Sequence, residues 1–207
     1  ALLFAAMARG TSHIGGALTS LDARSSARVL RQLGAGVSPL REATTIVIDG
    51  RGRLHRPAAA LHCGNSGTTA RLLTGLLAAH RFAATITGDR SLRRRPMCRV
   101  TEPLAAMGAR FRMQGDGLPL EVRGGPLRPL RYAMPVSSAQ LKSALLLAGV
   151  AGSVAVAVRE PTGRSRDHTE RLLGAFLYSI RELDVWLELE PTGRIVPFDV
   201  QLPGCIS

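Results

Sequence analysis

Aromatic residues, cysteines and long apolar runs are all scarce in this chain of 207 residues, and each shortage excludes a class of protein. Only 4% of the residues are aromatic, too few for the stacking surfaces that hold nucleic-acid bases. No apolar run approaches the roughly 18 to 20 residues of a membrane span, so we expect no membrane partner. Cys63, Cys98 and Cys205 are widely spaced and odd in number, which favours free thiols in a reducing cytoplasm over a disulfide framework or a zinc site.

Lysine is almost absent, because 26 of the 27 basic residues are arginine and only Lys142 is lysine. The net charge of +12 would suit a nucleic-acid module. The extreme ratio points to coding bias, however, and base-stacking aromatics are few. We therefore expect the charge to serve small, strongly anionic ligands and expect no nucleic-acid partner. A basic nucleic-acid module is the third-ranked interpretation, and steep salt dependence would be its signature.

Three similar units of roughly 70 residues follow one another along the chain. Each opens with an apolar helix of small residues, in which Leu2, Leu72 and Leu145 occupy equivalent places. A second helix in each unit is expected to end at a glycine, a usual C-terminal stop. The three glycines are Gly34, Gly108 and Gly174.

Extended segments lie between and after the helices of each unit. The first set covers 11–18, 82–88 and 153–158, and the second set covers 44–49, 118–123 and 194–200. Each unit is therefore predicted to contain a helix, a strand, a second helix and a pair of strands, in that order. A further strand is predicted to lead into units two and three. Unit one lacks that strand because the chain begins inside a helix, and the chain also ends abruptly, so we expect a segment cut from a longer protein.

The sequence predicts one α/β (α+β) domain over 1–207, with repeats at about 1–56, 57–128 and 129–203 and with the first repeat truncated. The apolar first helices have few polar positions and should lie inside, with the sheets forming the outer faces. Residues 203–207 would begin a crossing to another domain.

Polar and basic segments stand at the entrances of the predicted helices, where free N–H groups and the helix dipole favour anions. They are 64–71, 137–142, 93–96, 164–167 and the pair Asp22 and Arg24. Alone, each has a plain structural reading: the glycines form turns, the arginines are solvated, the serines are N-caps, His168 is a surface or capping residue, and Cys63 is packing. Their equivalent places in a repeat favour a small-anion pocket at one end of the domain.

Four of these stretches resemble one enzyme family closely: GNSGTTAR at 64–71, GDRSLRRRPM at 88–97, SAQLKSA at 138–144 and SRDHTE at 165–170. The chain resembles the 5-enolpyruvylshikimate-3-phosphate synthases through essentially its whole length. The sister family that acts on a UDP-amino sugar fits these motifs poorly and is kept as an alternative. The resemblance implies transfer of an enolpyruvyl group from phosphoenolpyruvate to the 5-hydroxyl of shikimate 3-phosphate. It also implies two domains of three βαβαββ units each, an alpha-beta prism, with no metal and no organic cofactor.

The resemblance also implies the site residues. For shikimate 3-phosphate they are Ser138, Ala139, Gln140, Ser165 and Arg166. For phosphoenolpyruvate they are Asn65, Ser66, Gly67, Thr68 and Arg95, and Gln140 reaches both substrates. Asp22 matches an acidic position near the closing cleft, the family's lysine motif would precede Ala1, and Cys205 stands where the family usually has Asp. We expect this chain to bind substrate without turnover, since its second domain is missing. The main alternative is a non-catalytic small-anion binding module.

Overall fold

The computed structural model describes residues 1–17, 19–42, 44–162, 165–176, 179–190 and 195–202. The helices in this part of the chain are α1 (Leu2–Met7), α2 (Leu21–Gln32), α3 (Gly67–Ala78), α4 (Arg90–Arg93), α5 (Cys98–Ala106), α6 (Ala139–Gly152) and α7 (His168–Ala175). None of the helices found in those ranges is long and apolar enough to cross a membrane.

In the ranges that the structure describes, the strands form three sheets of four strands each. They are β1 (Arg9–Gly15), β2 (Gly36–Val37), β3 (Ile46–Arg51), β4 (Leu61–His62), β5 (Ala83–Thr87), β6 (Arg110–Met113), β7 (Leu120–Arg123), β8 (Leu130–Ala133), β9 (Val156–Arg159), β10 (Ser179–Leu183), β11 (Trp186–Glu190) and β12 (Asp199–Gln201). The sheet orders are β12-β1-β3-β2, β4-β5-β7-β6 and β10-β11-β9-β8.

All three sheets share one hydrogen-bonding pattern. In the second sheet β4 runs parallel to β5, β5 runs antiparallel to β7, and β7 runs antiparallel to β6. The third sheet repeats this order with β8, β9, β11 and β10. A parallel pair followed by two antiparallel neighbours is what a repeated supersecondary unit produces.

The first helices of the three units lie inside, as the sequence predicts. Helix α6 is buried from Leu141 to Val150, and α3 buries most of its residues. In the strands, by contrast, buried and exposed residues can alternate, and β3 does so along its whole length. A strand of period two with one buried face covers a core and leaves its other face to solvent, so the sheets are the outer layers. This arrangement confirms the predicted fold class.

The structure corrects the interpretation of the last extended segment, 194–200. The sequence analysis made it the final strand of unit three, but the strand pair of that unit is β10 and β11. Residue 194 lies outside the described residues, and β12 pairs in parallel with β1, with His13 opposite Asp199. The leading strand that unit one lacks is therefore supplied from the far end of the chain.

The helix-ending glycines divide into two kinds. Gly34 and Gly108 follow α2 and α5 with φ angles of 92° and 115°, the left-handed conformation that terminates helices. Gly174 does not, because α7 runs through it to Ala175. The prediction of a stop at Gly174 is wrong, and the helix ends at the next residue instead.

Candidate anion-binding site

Helix α3 begins where the sequence analysis placed it, with Ser66 as its N-cap. The Ser66 hydroxyl accepts a hydrogen bond from the Thr69 N–H at 3.0 Å and donates one to the Thr69 hydroxyl at 2.8 Å. The Thr69 hydroxyl lies 2.9 Å from that of Ser26 in α2 and donates to the Asp22 carbonyl at 3.3 Å. These contacts fix the start of α3 against α2 and leave the Asp22 carboxylate exposed.

Two guanidinium groups flank Gly67, the first residue of α3. A Cβ built on Gly67 would lie 2.8 Å from Nη1 of Arg71 and 3.1 Å from Nη1 of Arg95. Burial lowers the pKa of Arg71 below its ordinary value, and the charges of Arg95 and Arg99 lower it further. Like charges held this closely favour an anion between them, and the helix N-terminus adds to the attraction.

A chain of hydrogen bonds holds Arg95 beside Gly67. Nη2 of Arg95 donates to the Asn65 side-chain oxygen, and the Asn65 amide donates to Asp89 Oδ2 at 2.8 Å. Asp89 in turn caps α4 by accepting from the Leu92 N–H at 2.8 Å. The Leu92 N–H and the Asn65 amide hold the pKa of Asp89 below its ordinary value.

Gln140, in the first turn of α6, joins that helix to α3. Its side-chain oxygen accepts from Arg71 Nη1 at 2.9 Å, and its amide donates to the Thr68 hydroxyl at 3.0 Å. Arg71 also donates to the Pro96 carbonyl at 3.1 Å. One glutamine thus connects the entrances of two different units, so the two entrances lie side by side.

Ser138 is the N-cap of α6, and its hydroxyl accepts from the Leu141 N–H at 3.3 Å. The structural role considered for this serine is therefore present, and its capping geometry leaves the hydroxyl half-buried at the helix entrance. Ala139 follows as the first helical residue, and the Ser137 hydroxyl donates to the Thr162 carbonyl at 2.6 Å.

Ser165 and Arg166 lie on the segment that leads into α7. The Ser165 N–H donates to Glu160 Oε2 at 3.2 Å, while Arg166 is exposed. Residue 164, which belongs to the predicted basic run 164–167, lies outside the described residues. His168, which directly follows this basic run, is the first residue of α7. It is exposed, as expected of a surface residue.

The structure joins five of the predicted site residues directly: Asn65, Gly67, Thr68, Arg95 and Gln140. Ser66, Ser138 and Ala139 stand at the same two helix entrances, whereas Asp22 and Arg24 lie at the start of a different helix, α2. The sequence analysis did not single out Arg71 or Asp89. For Arg71 a signal was available, because it lies four residues after Gly67 and residues four apart share one face of a helix.

The two cysteines in the described ranges are free thiols. Cys63 is fully buried in the core, and burial raises its pKa to about 12, so its predicted packing role is confirmed. Among the described residues no group of three or more His, Cys, Asp or Glu side chains is arranged to hold a metal ion.

Fold and site together define a three-sheet α/β protein that presents paired arginines at its helix entrances. The chain belongs to the family of EPSP synthase (3-phosphoshikimate 1-carboxyvinyltransferase), whose sequence profile matches residues 1–204. A 3-phosphoshikimate 1-carboxyvinyltransferase of Geobacillus kaustophilus is 44% identical over 211 residues, covering 100% of this chain and 49% of that protein. The enzyme of the same name from Thermosynechococcus vestitus is 46% identical over 215 residues, covering 100% of this chain and 48% of its own length.

A solved EPSP synthase structure from Acinetobacter baumannii matches the fold with a TM-score of 0.93 and 38% sequence identity. The match covers 98% of this chain and 46% of that chain. The chain therefore spans about half the length of the relatives that it matches.

Proposed function

We propose that this chain supplies the shikimate 3-phosphate site and part of the phosphoenolpyruvate site of an enolpyruvyl transferase. The enzyme would transfer the enolpyruvyl group of phosphoenolpyruvate to the 5-hydroxyl of shikimate 3-phosphate, giving 5-enolpyruvylshikimate 3-phosphate and phosphate. The observation that carries the proposal is the pair of guanidinium groups beside Gly67, joined through Gln140 to the entrance of α6. Membership of the EPSP synthase family supports shikimate 3-phosphate and phosphoenolpyruvate as the ligands that we assign to this site.

Phosphoenolpyruvate carries a phosphate and a carboxylate, and planar guanidinium groups bind both in a bidentate fork. We assign Arg95 and the turn from Asn65 to Thr68 to this substrate. Gln140 would reach both substrates, since its two polar atoms already connect α6 to Arg71 and Thr68. Holding two anions at adjacent helix entrances brings the reacting groups together, which is the contribution that positioning makes to a rate.

The relatives are about twice as long as this chain. We propose that the other half of such an enzyme is a second domain that closes over both substrates and adds the proton-transferring groups. Addition of the hydroxyl and elimination of phosphate both move protons, so they require general acid and base groups. We assign this chain to substrate anchoring and to electrostatic stabilisation.

Phosphate release tests the proposal. The complete gene product should release phosphate from phosphoenolpyruvate only when shikimate 3-phosphate is also present. The 207-residue chain alone should bind shikimate 3-phosphate, with shifts of the Ser138 and Arg166 backbone amides in an NMR titration, and should release no phosphate. A complete product that binds both anions without phosphate release would favour the small-anion binding module instead.

We also propose a cytoplasmic location and no nucleic-acid partner. Cys63 and Cys98 are free thiols, which persist in a reducing compartment. Trapping of thiols at the moment of cell lysis should find both cysteines reduced.

The absence of a nucleic-acid partner is tested separately. Filter binding at physiological salt should detect no complex with duplex or single-stranded nucleic acid, and a salt-dependent complex would contradict the proposal.

A further inference from the structure

We infer that Lys142 is a positioning residue that holds the two segments assigned to shikimate 3-phosphate, 138–140 and 165–166, in a fixed relation. The inference rests on the proposed function, because the ligand of these segments comes from that proposal. The contacts of Lys142 with both segments are properties of the structure alone.

The backbone of Lys142 belongs to the first segment. Its N–H donates to the Ser138 carbonyl at 3.0 Å within the first turn of α6. Any movement of the Ser138 end of the helix therefore moves the Lys142 side chain as well.

The side chain of Lys142 reaches the second segment through three acceptors. Its Nζ lies 2.9 Å from Glu160 Oε2, 2.6 Å from Glu170 Oε1 and 3.5 Å from the Ser165 carbonyl oxygen. Glu160 follows β9 and Glu170 lies in the first turn of α7. One ammonium group thus joins α6 to both ends of the connection between β9 and α7.

Ser165 is held on both sides of its backbone. Its N–H donates to Glu160 Oε2 at 3.2 Å, and its carbonyl accepts from Lys142 at 3.5 Å. Its hydroxyl is buried as well. The surroundings therefore fix the main chain of Ser165 from both sides.

Lys142 holds this segment without serving as a contact for the anion itself. It is only 4% exposed, and its single positive charge already faces two carboxylates. An anionic ligand gains little from a cation that is compensated in this way. The contribution of Lys142 to binding is therefore geometric.

The identity of the residue fits this role. Lys142 is the only lysine beside 26 arginines, and lysine is rarely so buried unless it is paired. Its compact ammonium has three donors for three acceptors that surround it, whereas a guanidinium is a larger planar fork. These contacts therefore favour lysine over arginine at position 142, although arginine is the basic residue used everywhere else in the sequence.

The test compares Lys142→Met with a control, Arg131→Met, in the 207-residue chain. The control removes an exposed cation whose Nη1 lies 2.9 Å from Glu188 Oε1 in the third sheet. Lys142→Met should raise the exchange rate of the Ser165 amide by about tenfold or more, while the Leu141 amide capped by Ser138 stays within about twofold. It should weaken shikimate 3-phosphate by about tenfold. Arg131→Met should change none of these.

Glu170→Gln provides a second variant that keeps the shape of the side chain and removes the charge 2.6 Å from Lys142 Nζ, while Glu160, the acceptor of the Ser165 N–H, stays in place. It should shift Ser165 exchange and ligand affinity in the same direction by smaller factors, and it decides the question if Lys142→Met does not fold. A folded Lys142→Met protein with a lower melting temperature but unchanged affinity would overturn the inference and leave the proposed function intact. Failure of the unmodified chain to bind shikimate 3-phosphate would overturn the proposed function and the ligand part of this inference, and Ser165 exchange would still report the positioning.

Discussion

Gly75 of α3 lies against the backbone of Ala144 in α6, so closely that a Cβ on Gly75 would stand 2.1 Å from the Ala144 carbonyl oxygen. Both residues are in the buried interior. Only glycine permits this approach, because the neighbour is backbone and cannot turn aside as a flexible side chain would. The distance between the two helices therefore depends on one missing methyl group, and the same two helices carry Gly67 and Gln140 at their entrances.

Gly75→Ala should destabilise the chain by about 1 to 3 kcal/mol, the usual cost of overpacking a core. Urea unfolding followed by circular dichroism would measure the change. Gly174→Ala is the matched control, because Gly174 also lies inside a helix and a Cβ there would meet nothing within 4 Å. Gly174→Ala should raise the free energy of unfolding by up to about 1 kcal/mol, since alanine is a better helix former than glycine. Equal effects at the two positions would contradict the packing argument.

Arg95→Ala should weaken the binding of phosphoenolpyruvate far more than the binding of shikimate 3-phosphate. A charge-assisted hydrogen bond is worth about 1.5 to 3 kcal/mol, or about tenfold or more in Kd. Arg94→Ala is the control, since Arg94 is an exposed arginine one residue away. Calorimetric titration of the complete gene product with each ligand gives the comparison. Similar losses for the two variants would remove Arg95 from the site.

Gly67→Ala should weaken phosphoenolpyruvate without lowering stability. The new Cβ would press on the ends of Arg71 and Arg95 at 2.8 and 3.1 Å, so both guanidinium groups must move away from the helix entrance. Gly125→Ala is the control, because a Cβ there would meet nothing within 4 Å. Calorimetry and thermal melting of both variants would measure the two effects. Unchanged affinity in Gly67→Ala would show that the positions of the arginine ends do not matter for binding.

Cys63 should resist alkylation in the folded chain. Only the thiolate reacts with iodoacetamide, and burial raises the pKa of Cys63 to about 12, so the thiol stays protonated at pH 8 as well as covered. Cys98 is half-buried; its hydrogen bond to Asp116 raises its pKa too, but its exposure should make it the faster of the two. Peptide mapping by mass spectrometry after timed alkylation, with a urea-unfolded sample for reference, would detect the difference. Faster labelling of Cys63 than of Cys98 would contradict this prediction.

Local patterns were sufficient to predict most secondary structure and the helix entrances. Helix α6 has few polar positions, which predicts burial, and β9 alternates as a strand should. Ser138 was considered as an N-cap because a serine accepts from the N–H three residues later, and it does so. Gly174 shows the limit, since a glycine near the end of a pattern can equally lie inside the helix.

The sequence by itself determined the fold class, the buried helices and the polar helix entrances, because these follow from the spacing of apolar residues and from capping chemistry within a few neighbours. Tertiary structure decided that β12 completes the sheet of β1, that Arg71 and Arg95 meet beside Gly67, and that Lys142 joins two carboxylates to Ser165. Each of these contacts joins residues far apart along the chain. Their geometry depends on how whole elements pack against one another, and no local pattern of residues encodes that packing.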